Sequence, residues 1–254
     1  MQWAEQRPVR LLVALTGFFL ADALIAEFAG TKVFSLEATL GMADVAWHLL
    51  GVSGSLSFTV GVVFWPLVFV LTDIINEYYG SKGVRLVSGL TAGFIAWSFV
   101  AAYVAIQLSP AGFWLQSGQS SGVPDMQAAY AQIFGQGMWL IAGSLLSFLI
   151  GQWIDVQVFR RIRRLTGERR IWLRATGSTA VSQLFDTFLV LYIAFVLGPQ
   201  HWPMQQFLAV ALVNYVFKLL AALLAIPLLY GVHAAVERYL GTADSRRLRA
   251  AALG

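Results

Sequence analysis

At 254 residues, 58% of them hydrophobic and only 12% charged, the chain is too apolar for a soluble domain, in which roughly 25% of residues are charged. Its net charge of +4 does not point to nucleic acid, because the basic residues fall between apolar runs where membrane topology accounts for them. The absence of cysteine excludes disulfides, thiolate metal sites and cysteine nucleophiles together.

Six apolar runs follow one another, at 11–29, 58–75, 86–108, 137–159, 177–197 and 207–230, and the mean hydropathy is +0.70. The first carries Asp22 and Glu27 and lacks a small-residue cleavage signal, so it reads as a retained helix. In hydrocarbon each run must be helical, because an unpaired backbone group there costs several kcal/mol. Arg7 and Arg10 precede the first run, Lys82 and Arg85 separate the second from the third, and Arg160, Arg161, Arg163, Arg164, Arg169, Arg170 and Arg174 separate the fourth from the fifth. Arg238, Arg246, Arg247 and Arg249 follow the sixth, whereas 109–136 and 198–206 contain no Lys or Arg. Only Lys32 and Lys218 break the pattern. The expected fold is therefore an all-α polytopic membrane protein with six transmembrane helices and both termini cytoplasmic. Residues 1–240 form its single domain, and 241–254 a basic, flexible tail. Segment 31–57 reads as an external loop, a short hairpin or a re-entrant piece, and 109–136 as an external loop with a short helix.

The fifth run carries the polarity that matters most. Ser178, Thr179, Ser182, Gln183, Asp186 and Thr187 fall on one half of a helix, with Ala180, Val181, Leu184, Phe185 and Phe188 on the other. Counted from the cytoplasmic side, Asp186 and Lys218 both lie roughly 18 Å deep, with Asp22 at a similar level. Lys218 is too deep to snorkel and needs a partner, for which Asp186 is the leading candidate. Asn214 and Lys218 share a helix face beside Tyr215. The bland alternative is a buried ion pair that only sets helix register. Asp73, Asn76 and Glu77 also share one face, ahead of a helix stop at Gly80. They suit a cation, a proton or the N–H edge of a ring; the plain reading is a solvated helix end with arginine counter-ions. Ser147-x3-Gly151-Gln152-x2-Asp155 recurs as Ser178-x3-Ser182-Gln183-x2-Asp186, an echo between antiparallel helices that an inverted pair would explain. Gly89-x3-Gly93 suits close helix packing, and Pro66 and Pro227 suit kinks. His48, His201 and His233 are too scattered for a metal site.

The stretch Leu71 to Gly80 (LTDIINEYYG), the run Gly151 to Phe159, the residues Ser178, Thr179, Ser182, Gln183, Asp186 and Thr187, then Ala211 to Tyr215 with Lys218, and Pro227 with Tyr230 to Val232, together resemble the queuosine precursor transporters, also called the vitamin uptake transporters. The likeness covers roughly residues 55–233; Lys32 fits it, but Glu27 stands where an asparagine is expected. The resemblance implies a six-helix inner-membrane carrier importing 7-deazaguanine precursors (preQ0, preQ1 or queuine) for tRNA modification. Its partners would be a small purine-like substrate and the lipid bilayer, with no cofactor, metal or nucleic acid, and a homo-oligomer left open. Under that reading Asp186 and Gln183 read the base, with Gln183 or Asn214 donating to its O6, while Asn214 and Lys218 set the charge state. Asp73, Asn76 and Glu77 line the cytoplasmic side, Ser182, Tyr215, Gln152 and Asp155 complete the site, and Phe185, Tyr215 and Phe217 wall the ring.

Two other classes compete. An intramembrane enzyme needs a nucleophile with a base or a metal set, and Ser178 and Ser182 have no histidine at their depth. A substrate-binding subunit that depends on a separate energising partner fits the absence of a nucleotide-binding loop.

Overall fold

A computed structural model describes residues 7–135, 138–166 and 171–252; Arg169, Arg170 and the first residue of the fourth apolar run lie outside them. Helix α1 (Arg7–Ala29) leads into a ribbon of four three-residue strands, β1 (Val33–Ser35), β2 (Trp47–Leu49), β3 (Val52–Gly54) and β4 (Ser57–Thr59), with the short α2 (Leu36–Leu40) inside it. After α3 (Gly61–Gln107), the connection holds α4 (Gly112–Leu115) and α5 (Met126–Phe134). The chain closes with α6 (Met138–Thr166), α7 (Ile171–Leu191), α8 (Met204–Leu224) and α9 (Ile226–Ala251). Among the described residues five helices are long and apolar enough to cross a membrane.

One of the five holds two of the expected runs. As a straight rod the 47 residues of α3 would extend about 70 Å, more than twice the hydrocarbon thickness. Gly80 divides it with φ +65° and ψ −170°, a conformation open essentially to glycine alone. The two halves fold back on each other. The start of α3 lies against the end of α1, where a Cβ on Gly61 would meet the Ala26 carbonyl at 2.7 Å. Phe99, from the far half, reaches the same end and packs on Phe28 at 5.5 Å between ring centroids. The bend sits at the opposite end, where the Tyr79 hydroxyl donates to the Pro8 carbonyl. Pro66 keeps helical angles, so the break is at the glycine and not at the proline. At Pro227 the expected interruption is present: α8 ends at Leu224 and α9 begins at Ile226, so the sixth run breaks at Ala225, two residues before the proline.

The basic clusters gather at that bend. Arg160 donates to Ser81, Arg163 to the carbonyls of Glu77 and Arg249, and Arg7 to the Tyr239 carbonyl. Up to Ala251 the tail is helical rather than frayed. It turns at Gly241 (φ +78°) and continues as helix, with Ser245 buried, Leu248 packed on the core and Ala252 against Gly80. Its small residues let the backbone approach closely, and the Arg163 guanidinium satisfies a carbonyl of its last turn.

Segment 31–57 is the short-hairpin alternative, so the fold is helical with a small β element. β1 pairs antiparallel with β4 and β2 with β3. Glu37 pins the ribbon, accepting from the Leu56 N–H at 2.7 Å and the Ser35 hydroxyl at 2.8 Å. Phe58 fastens it to α8 by stacking on Phe217 at 4.0 Å. Gly89 and Gly93 face outward with nothing near them, so the close helix contact expected there is not made within the chain.

Candidate functional site

α7 presents the two-faced helix its sequence describes, turned inside out. Ser178, Thr179, Ser182, Gln183 and Thr187 are buried, whereas Val181, Leu184 and Phe185 point outward. In a bilayer this is the low-energy arrangement, because lipid accepts the apolar half and only protein or water can accept the polar one.

The polar half of α7 borders a cavity of about 330 Å³, within the range of small-molecule sites. Asp186 and Thr187 line it from α7, Asn214 and Lys218 from α8, Glu27 from α1, Ser144 from α6 and Trp65 from α3. The expected pair forms: Lys218 Nζ donates to Asp186 Oδ2 at 2.8 Å, the two side chains 16% and 21% exposed. It is therefore a wetted pair at a cavity wall rather than a sealed strut. Asn214 Nδ2 is tied to the Val210 carbonyl, which orients its amide. Glu27 accepts a hydrogen bond from Ser144. Val33 and Thr59 bring the ribbon to the cavity, which lies away from the arginine-rich end.

Trp65 and Phe148, 5.8 Å apart, together with Asp186 also line a second, much smaller pocket beneath it. That pocket holds about 20 Å³, enough for one water, and is walled by Gln152, Asp155, Ser182 and Gln183. Here the sequence echo becomes geometry. Asp155 accepts from the Ser182 hydroxyl at 3.2 Å, and Asp186 lies against Gly151, whose added Cβ would be 3.5 Å from its own. Each acid thus faces the small residue of the other copy, as a local two-fold between antiparallel α6 and α7 requires. By sequence Asp155 stands only five residues before Arg160 whereas Asp186 is deep in its run, yet both line this one pocket.

Toward the basic end, Asp73 and Thr179 border a third pocket of about 20 Å³, which shares Phe69 with the second. Beyond it the interior is closed by ions. Glu77, 0% exposed, accepts from Arg174 at 2.7 Å and has Arg163 at 3.6 Å. The plain reading of this helix end anticipated the arginines but not their burial. Neither Glu77 nor Asn76 lines these three spaces.

Other expectations are corrected. Tyr215 spends its hydroxyl on the Ala180 carbonyl, tying α8 to α7, and lines none of the three spaces. Phe185 belongs to an outward apolar groove and Phe217 to the ribbon contact, so neither walls the cavity. The aromatic wall is Trp65, Phe148 and Phe195. Phe195 sits in a π-helical turn, Tyr192–Leu197, that ends α7 and rests on Trp202 at 4.4 Å. Trp65 sits in a uniformly apolar run, and such a run does not by itself separate an aromatic of an inner wall from a lipid-facing one. Glu27 was legible as an intramembrane acid, but not its placement opposite Asp186.

Helices that bury their polar faces around a ligand-sized, ion-paired cavity define a multi-pass membrane protein with an internal polar cavity. The sequence model of a family described as "Putative vitamin uptake transporter" matches residues 59–232. The chain belongs to this family. It is 35% identical over 208 residues to a "Probable queuosine precursor transporter" of Bacillus subtilis, covering 80% of this chain and 85% of that one. Over 174 residues it is 29% identical to the "Queuosine precursor transporter" of Escherichia coli, covering 68% and 72%. A "Probable queuosine precursor transporter" of Haemophilus influenzae is 24% identical over 186 residues, 72% of each chain. No solved structure matches the chain.

Proposed function

We propose that this protein imports 7-deazaguanine precursors of queuosine across the inner membrane, as a six-span carrier with both termini in the cytoplasm. The names of its relatives support the substrate class, and the gathering of the arginines at one end supports the orientation. The observation that carries the reading is the Asp186–Lys218 pair on the wall of a cavity that also has Trp65 and Phe148.

A deazaguanine presents a ring N–H and an exocyclic amine on one edge, and a carboxylate accepts the two as a charge-assisted pair. Asp186 takes that role. Lys218 and the Asn214 amide supply the donors that the ring carbonyl needs. Trp65 gives the flat ring a face to lie on. The cavity faces the ribbon side, which this orientation makes external, and the narrow inner pockets with the Glu77–Arg174–Arg163 cluster close the cytoplasmic side. Transport then consists of closing over the base and parting that cluster. The chain acts on its ligand by binding and moving it, not by making or breaking bonds.

The test is uptake of labelled queuine by the purified protein alone in liposomes. Uptake that is lost in Asp186→Asn, with the variant still folded, is the expected result. Equal uptake by the variant overturns the site, and uptake only after another protein is added makes the chain a binding subunit.

A further inference from the structure

The two echo-related acids differ in one respect. Asp186 has the Lys218 ammonium, whereas Asp155 has only hydroxyls beside it, Ser182 at 3.2 Å and Ser178. Asp155 is 7% exposed, and its Oδ2 receives no hydrogen bond. Gln183, 4% exposed and lining the same pocket, has an Oε1 equally without a donor. Asp73 Oδ1, within electrostatic reach of Asp155, is a third such oxygen. Around these two small pockets, then, three buried oxygens, two of them on carboxylates, accept no hydrogen bond from the protein.

The charges agree. Asp73 and Glu77 from α3, with Asp155 from α6, set three carboxylates against two guanidiniums, Arg163 from α6 and Arg174 from α7. Both guanidiniums lie on Glu77. Asp186 is matched by Lys218 of α8, and from α9 His233 bonds the Tyr78 hydroxyl. Among the described residues no cation lies within ion-pair distance of Asp155, and a buried carboxylate without one sheds its charge by taking a proton. Among the described residues no three of His, Cys, Asp and Glu come together as a metal site would need.

We propose that Asp155 carries a transported proton, received from the outer cavity past Asp186 and passed inward to Asp73, one for each molecule imported. The proton binds a carboxylate oxygen on the outer side and leaves from a carboxylate on the cytoplasmic side, so no other bond changes. On Asp155 it supplies the hydrogen that an oxygen such as Gln183 Oε1 lacks. This rests on the import reading above, and the test separates the two.

Queuine exchange between the two sides of liposomes with no gradient reports the import reading. An imposed gradient, acid outside by about one pH unit, then drives roughly tenfold accumulation, since a pH unit and a tenfold ratio are equal in energy. In Asp155→Asn the pH gradient adds no accumulation to whatever exchange the variant retains, measured as the ratio of uptake with and without the gradient. Infrared spectra of the purified wild type at neutral pH show the carbonyl stretch of a protonated carboxylic acid, weakened in Asp155→Asn, a readout that needs no substrate. Accumulation driven by sodium alone overturns the proposal. So does exchange that no pH gradient drives, or a wild-type spectrum without the band. If exchange itself fails, the import reading falls and the spectrum alone decides the proton.

Discussion

At the scale of single residues, Lys218 and Asp186 show how depth turns a sequence into a pairing. Two charges at one level in a bilayer must find each other, and counting residues was enough to name them. Because the pair faces a cavity, removing one partner strands the other in a site that is only partly wet. Lys218→Met should therefore destabilise the protein by about 1–3 kcal/mol, below the 3–5 typical of a fully buried pair. Adding Asp186→Asn should recover most of that loss. A double-mutant cycle on thermal unfolding checks this, and additive losses would mean that the two do not interact. Glu77 marks the limit of such reasoning. Its counter-ion Arg174 is 97 residues away, and nothing local distinguishes a buried guanidinium from the solvated ones around it.

At the scale of elements, the break in α3 was legible because glycine before a basic pair is a common stop signal, and Gly80 takes a conformation that a side chain resists. Gly80→Ala would add strain of about 1–3 kcal/mol and press a Cβ to 3.0 Å from the Ala252 carbonyl. The expected result is a lower melting temperature with faster proteolysis of the C-terminal helix; an unchanged melt would show that the bend is relaxed. The ribbon and the tail were not legible in the same way. Three-residue strands are too short to show an alternating pattern, and the basic composition of the tail hides Ser245 and Leu248, the residues that dock. The ribbon has its own signature. The Leu56 N–H holds the Glu37 carboxyl below its ordinary value of 4.5. A depressed folded value means that this stabilisation is present above 4.5 and is lost as pH falls through the folded value. The melting difference between wild type and Glu37→Gln should therefore be largest near neutrality and close in acid. A difference independent of pH would show that the charge on Glu37 is not what pins the ribbon.

At the scale of the whole molecule, the polar faces of α7 and α8 and the aromatic face of α3 meet around one space that is wide toward the ribbon and pinched toward the arginines. Recognition of the ring is the claim on which the rest depends, and calorimetric binding of queuine to the purified protein measures it most directly. Wild type should bind, and Asp186→Asn should bind about 10 to 150 times more weakly, the equivalent of 1.5–3 kcal/mol for hydrogen bonds to a charged acceptor. Equal affinity in the folded variant would contradict the account, because the base would then be held somewhere that Asp186 does not reach.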